Sequence, residues 1–105
     1  MRSLDLKNID NVIRPNLIEK EEVASLHYPA NDVLPTIIDR EYRRQSLIRA
    51  TRAGNLDKVK FKITFEDDKG LKEVHTTIWA TTEFNIVLKR GVPLPIRRIY
   101  SVRIA

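Results

Sequence analysis

The residues best suited to chemistry in this sequence are its cations, and they come in three sets. The first is Arg40, Arg43, Arg44, Arg49 and Arg52; the second is Lys58, Lys60 and Lys62; the third is Lys89, Arg90, Arg97, Arg98 and Arg103. Guanidinium groups present a planar fork that matches phosphate. Lys58, Lys60 and Lys62 alternate with Val59 and Phe61, a spacing that would set three ammonium groups in a row on the outer face of a strand. Such a row can follow a phosphate backbone. Trp79 and Tyr100 could offer stacking surfaces to unpaired bases. The candidate contact set is therefore Lys58, Lys60, Lys62, Arg97 and Arg98 for phosphate, with Trp79 for a base. The competing interpretation is a solvated basic face, with Trp79 packed beneath the N-terminal helices.

Little else in the chain points to chemistry. The two histidines, His27 and His75, fall in different predicted elements and have no nucleophile at a triad spacing. Asp67 and Asp68 are adjacent and could hold a cation, but they precede Lys69-Gly70, where a hairpin loop needs such residues. The three glycines, Gly54, Gly70 and Gly91, are isolated, so no glycine-rich phosphate loop exists. With no cysteine, disulfides and thiolate metal sites are excluded. These features predict a protein that is not an enzyme and needs no metal or cofactor.

Charge is segregated along the chain. The formal net charge is +5. Residues 1–33 hold four basic and six acidic groups, a net of −2, whereas residues 34–105 hold 15 basic and 8 acidic groups, a net of +7. Such a field attracts RNA, other polyanions or an acidic protein surface. A hydrophobic fraction of 42% and a charged fraction of 31% are ordinary for a globular protein. The absence of cysteine and of a signal-peptide pattern predicts a cytoplasmic location, and no apolar run is long enough for a membrane span. At 105 residues a single domain is expected, with residues 1–50 a mainly helical cap and 55–105 a β barrel.

Periodicity supplies the elements. Leu6, Ile9 and Ile13 sit at helical spacing over 4–13, ended by Pro15. Asn16, with Glu19 three residues on, can cap a second helix through residue 26. Pro29 breaks the chain there. Asp32 is the expected N-cap of a helix over 33–44, with Pro35 in its first turn and Ile37, Ile38, Tyr42 and Leu47 as its apolar stripe. Residues 46–53 read either as more helix or as a strand, turned at Gly54-Asn55. Val59, Phe61, Ile63 and Phe65 then alternate strictly with polar residues, and Glu66-Asp67-Asp68-Lys69-Gly70 makes the hairpin loop. The return strand carries Val74, Thr76, Ile78 and Ala80 inward and Glu73, His75, Thr77, Trp79 and Thr81 outward. Ile86–Leu88 is a third strand. Val92–Ile96 is a fourth, confined to an edge by Pro93 and Pro95. Arg97–Ile99 reads as a short turn, and Tyr100, Val102 and Ile104 as a last strand.

The expected fold is α+β: N-terminal helices followed by a four- to five-stranded antiparallel curled sheet. An SH3-like or Sm-like small barrel is the first choice and a pleckstrin-homology-like half-barrel the second. Two resemblances bear on this. The stretches Thr76-Thr77-Ile78-Trp79-Ala80-Thr81-Thr82 and Val92-Pro93-Leu94-Pro95-Ile96-Arg97-Arg98-Ile99 resemble a family of small uncharacterised bacterial proteins, which implies no activity. Residues 58–102, in their order of strand, acidic-Gly hairpin, long strand, short apolar strand, Ile-x-x-Ile turn and last strand, are similar to Sm-like barrels, Rho-binding antiterminators of the Rof type among them. That likeness implies binding to RNA or to an RNA-handling protein. The expected function is a non-enzymatic module binding RNA or single-stranded nucleic acid through a basic sheet face. The rival is a protein-interaction or regulatory module that uses the Pro93–Pro95 edge, the face of Trp79, or self-association.

Overall fold

The structure, a computed structural model, describes residues 14–105; the helix expected over 4–13 lies outside them. No second helix spans 16–26. Asn16–Leu17 form a two-residue strand, β1, and Lys20–Val23 a single helical turn, α1. The capping box shifts accordingly: Glu19 is the N-cap and Glu22 closes it reciprocally. Asn16 does not cap because its backbone lies parallel to the strand over residues 70–76, opposite Lys72, and the Ile18 N–H donates to the Glu73 carbonyl at 2.9 Å.

The long helix α2 covers Ile37–Asp57. It starts after Thr36, whose hydroxyl accepts from the Asp39 N–H at 3.1 Å, and not at Asp32. Pro35 explains the shift, since the residue before a proline is pushed out of the α region. Asp32 instead folds its carboxylate onto the Leu34 N–H, 2.8 Å, and onto Arg43. Residues 46–53 are helix, and Gly54-Asn55 continue it rather than turn it. Of the expected apolar stripe Leu47 is buried, but Ile37 and Ile38 are each 80% exposed, and Tyr42 is also exposed. The buried face is Arg43, Leu47, Ala50 and Gly54, a spacing of four, three and four that keeps one side of a 3.6-residue helix turned inward.

The sheet half forms two sheets rather than one closed barrel. Strands β2 (Phe61–Asp67), β3 (Gly70–Thr76) and β7 (Ile99–Ile104) join β1 in the order β1-β3-β2-β7. Strands β4 (Ile78–Thr81), β5 (Asn85–Leu88) and β6 (Val92–Pro95) form an antiparallel meander with β6 at its edge. The predicted long return strand is divided at Thr77, its first part in one sheet and its second in the other. Among the described residues all pairings are antiparallel except β1 with β3. Phe61, Ile63 and Phe65 point inward and meet Val74, Ile78, Leu88, Leu94 and Ile99. Fully burying a side chain such as Phe65 or Ile63 contributes about 2–3 kcal/mol. Val59 precedes β2 and is only partly buried.

The loop after Asp67 is a turn. One Asp67 oxygen accepts from the N–H groups of Lys69 and Gly70, both 3.1 Å, and from the Lys72 ammonium at 2.8 Å, while Gly70 adopts φ +138°. That oxygen is spent on the hairpin, and the side chain is buried.

Candidate polyanion site

The six residues singled out from the sequence separate into two groups. Arg98 is only 5% exposed. Its Nε donates to the Glu66 carbonyl at 3.0 Å, and its Nη1 to the carbonyl and side-chain oxygens of Asn31 at 2.9 and 3.1 Å. Arg97 donates to the carbonyls of Pro29 and Tyr28 at 2.8 and 3.2 Å. Both guanidiniums are therefore engaged by carbonyls of the fold and pin the chain before α2 onto the short 3-10 turn Ile96–Arg98. The sequence could not anticipate this, because the bonds span 32 to 69 residues. Lys62 projects from the outer face of β2 toward Glu73, 3.9 Å away, beside the His75–Glu73 contact at 2.5 Å.

Lys58, Lys60 and Trp79 come together. The expected lysine row does not form, because α2 runs on to Asp57 and β2 begins only at Phe61. Lys58 caps α2 in the left-handed conformation, φ 55° and ψ 35°, with its N–H on the Gly54 carbonyl at 3.1 Å. Lys60 lies in the short link to β2, held by the Ala105 N–H on its carbonyl. Trp79 is the unpaired residue of a bulge in β4: Ile78 faces Leu88 and Ala80 faces Val87, leaving no partner for position 79. A bulge turns its side chain away from the regular alternation. The indole is 47% exposed, so among the described residues neither α1 nor α2 covers it fully.

These side chains line one cavity of about 490 Å³ with Lys89, Thr77, Asn55 and Gly54. Lys89 follows β5, and its N–H bonds the Thr77 carbonyl at 3.0 Å, which places it beside the start of β4. The sequence reading put Lys89 in a different basic set. The signal that could have joined it to Trp79 is the hairpin register, which sets Leu88 opposite Ile78. The volume falls within the ordinary range for small-molecule sites. No acidic residue lines the cavity, and among the described residues Lys58, Lys60 and Lys89 form no ion pair. The C-terminal end of α2 presents roughly half a negative charge here. Three ammonium groups outweigh it, and the net field attracts anions.

The arginines of α2 do other work. Arg43 is buried and donates to both Asp32 oxygens, at 2.9 and 2.7 Å, and to the Ile99 carbonyl at 3.0 Å. Only its Nε finds no partner among the described residues. Burial opposes ionisation of Asp32, but the Arg43 guanidinium and the Leu34 N–H outweigh it and hold the carboxyl below its ordinary value. Arg44 ties the Thr82 and Glu83 carbonyls to α2. Tyr100 donates its hydroxyl to Glu66 at 2.6 Å, and this bond raises the phenol's pKa. Among the described residues no cluster of three or more His, Asp or Glu side chains could hold a metal ion, and no helix is long and apolar enough to cross a membrane. Compared with known proteins, the chain matches no family model, no curated protein and no solved structure.

Proposed function

We propose that this chain is a non-enzymatic module that binds single-stranded nucleic acid, RNA foremost, in the cavity between the end of α2 and the start of β4. Lys58, Lys60 and Lys89 take phosphate and Trp79 stacks on a base. The observation that carries this reading is a half-exposed indole sharing one cavity with three lysines that have no carboxylate partner among the described residues. A base has a π-face whatever its identity, so one indole and a few ammonium groups suffice for sequence-tolerant binding. The similarity of residues 58–102 to Sm-like barrels agrees with this reading. Titration of a labelled single-stranded RNA by fluorescence anisotropy at low and high salt tests the proposal. Saturable, salt-weakened binding supports it; no binding even at low salt removes it, because phosphate contacts are strongest there.

A second reading, protein interaction or self-association, is favoured by one observation: Tyr42 and Ile104 are both strongly exposed and flank a common cavity between α2 and β7. Light scattering on the purified chain, with and without RNA, separates a self-associating protein from a monomer that binds nucleic acid.

A further inference from the structure

The lysine cavity does not end at Asn55. A second depression of about 240 Å³, lined by Ile48, Thr51, Arg52, Asn55 and Thr81, adjoins it, and Asn55 belongs to both. By itself this space is below the usual size of a ligand site, so it is better understood as an extension of the first. The two together run along the seam between α2 and β4. On α2, Arg52 and Asn55 are three residues apart and share a flank. On β4, Trp79 and Thr81 are two residues apart, about 6.6 Å at 3.3 Å per residue.

The chemistry of the second depression is narrow. Its floor is the hydroxyl pair Thr51 and Thr81, 2.7 Å apart, and both hydroxyls also reach the Leu47 carbonyl, at 2.9 and 3.3 Å. Those hydrogens are spent on the fold. The groups left for a ligand are the Arg52 guanidinium and the Asn55 amide, neither of which has a side-chain hydrogen bond or ion pair among the described residues. Arg52 lies about 9 Å along the helix from Lys58, at 1.5 Å per residue. Successive phosphates of an extended single strand can span that gap.

We infer that the seam is a two-nucleotide track: the lysines and Trp79 hold one nucleotide, Arg52 holds the phosphate of the next, and Asn55 meets the sugar or base edge at the junction. This inference rests on the nucleic-acid reading of the lysine cavity and adds a second subsite to it. It sets the minimal ligand as a dinucleotide carrying two phosphates. It also makes Arg52 a determinant of oligonucleotide affinity that leaves mononucleotide affinity alone.

The test follows Trp79 fluorescence while the full chain and its Arg52→Gln variant are titrated with a mononucleotide, a 5′-phosphorylated dinucleotide and an eight-nucleotide RNA, all at low salt. Arg52 is exposed, so the variant should keep its fold, which circular dichroism checks. The expected result is quenching by all three ligands, with the dinucleotide bound on the order of tenfold more tightly than the mononucleotide, as one added charged contact supplies. Arg52→Gln should remove that gain and leave the mononucleotide unchanged. If quenching persists and Arg52→Gln binds the dinucleotide and the RNA as the parent does, the second subsite is wrong and the lysine cavity stands. If no ligand quenches Trp79 and anisotropy shows no RNA binding, the nucleic-acid reading itself fails, and the track with it.

Discussion

Gly54 lies so close to Ile78 that a β-carbon on it would sit 2.7 Å from the Ile78 carbonyl oxygen and 2.9 Å from the Thr77 methyl group. The helix therefore rests directly on the first residues of β4, and this contact forms one wall of the lysine cavity. A glycine inside a helix costs about 1 kcal/mol relative to alanine. Here the close approach outweighs that cost, because the obstructing atom is backbone. Gly54→Ala should destabilise the protein by about 1–3 kcal/mol despite its better helix propensity, as read by urea denaturation. A stabilised variant would show that α2 does not pack so tightly on β4.

Lys58 occupies a position that suits glycine. Its left-handed backbone costs a residue with a β-carbon about 1 kcal/mol. Lys58→Gly should leave stability unchanged or raise it by up to about 1 kcal/mol, while weakening binding to single-stranded RNA. Thermal melts and anisotropy on the same preparation check both halves. A variant that binds RNA as well as the parent would remove Lys58 from the site.

Trp79 should act on binding and hardly on folding, since its indole is half exposed and its bulge leaves it without a strand partner. Trp79→Ala should lose about 1–3 kcal/mol of RNA affinity, the usual worth of one base–aromatic stack, with little change in the melting temperature. A large loss of stability would make the indole structural.

Salt dependence counts the phosphate contacts. Three lysines and Arg52 on a single-stranded oligonucleotide predict a slope of log K against log salt of about −2.8, at about −0.7 per contact. Lys89→Ala should reduce its magnitude to about 2.1. Lys62→Ala should leave it unchanged, because that side chain stands with Glu73 on the outer face of β2. Equal effects of the two substitutions would place the contacts on the sheet face instead.

The Asp32–Arg43 pair sets an acid limit on stability. Asp32 titrates below its ordinary value when folded, so its contribution is fully present above the unfolded carboxylate pKa of about 4 and is lost as pH falls through the lower, folded one. Asp67, lowered by Lys72 and the turn N–H groups against the effect of its burial, adds to the same limb. Asp32→Asn should cost about 3 kcal/mol at neutral pH, since it leaves the Arg43 charge buried without its partner, and should flatten the decline below about pH 4. Denaturation midpoints measured between neutral and acid pH decide it; an unchanged acid limb would assign the effect elsewhere.

Several elements were legible because their causes are local. Phe61, Ile63 and Phe65 alternate with polar residues, and period two fits only a strand with one buried face. Asp67 and Gly70 fit the hairpin loop they make. Pro93 and Pro95 confine β6 to an edge, since a proline cannot donate to a second neighbour. The errors arose where distant partners decide. Gly54 read as a turn because glycine commonly marks one; its reason is instead a strand more than 20 residues later. Ile37 and Ile38 read as core from their apolar type, yet they face outward, whereas the inward face of α2 is Leu47, the small Ala50 and Gly54, and the paired Arg43.

The sequence by itself determined that the second half is strands and turns, that the net positive charge lies in residues 34–105, and that no thiol or glycine-rich loop is available for chemistry. Composition and short-range spacing carry that information, because side-chain alternation and turn preference act over a few residues. Only the tertiary structure decided which cations the fold engages and which it gathers around a cavity. Arg97 and Arg98 are drawn inward by backbone carbonyls remote in sequence, while Lys58 and Lys60 from the end of α2 meet Lys89 from a distant hairpin around Trp79. A charge is drawn to whatever acceptor the fold brings within reach, and that pairing becomes defined only when helix, link and hairpin are assembled.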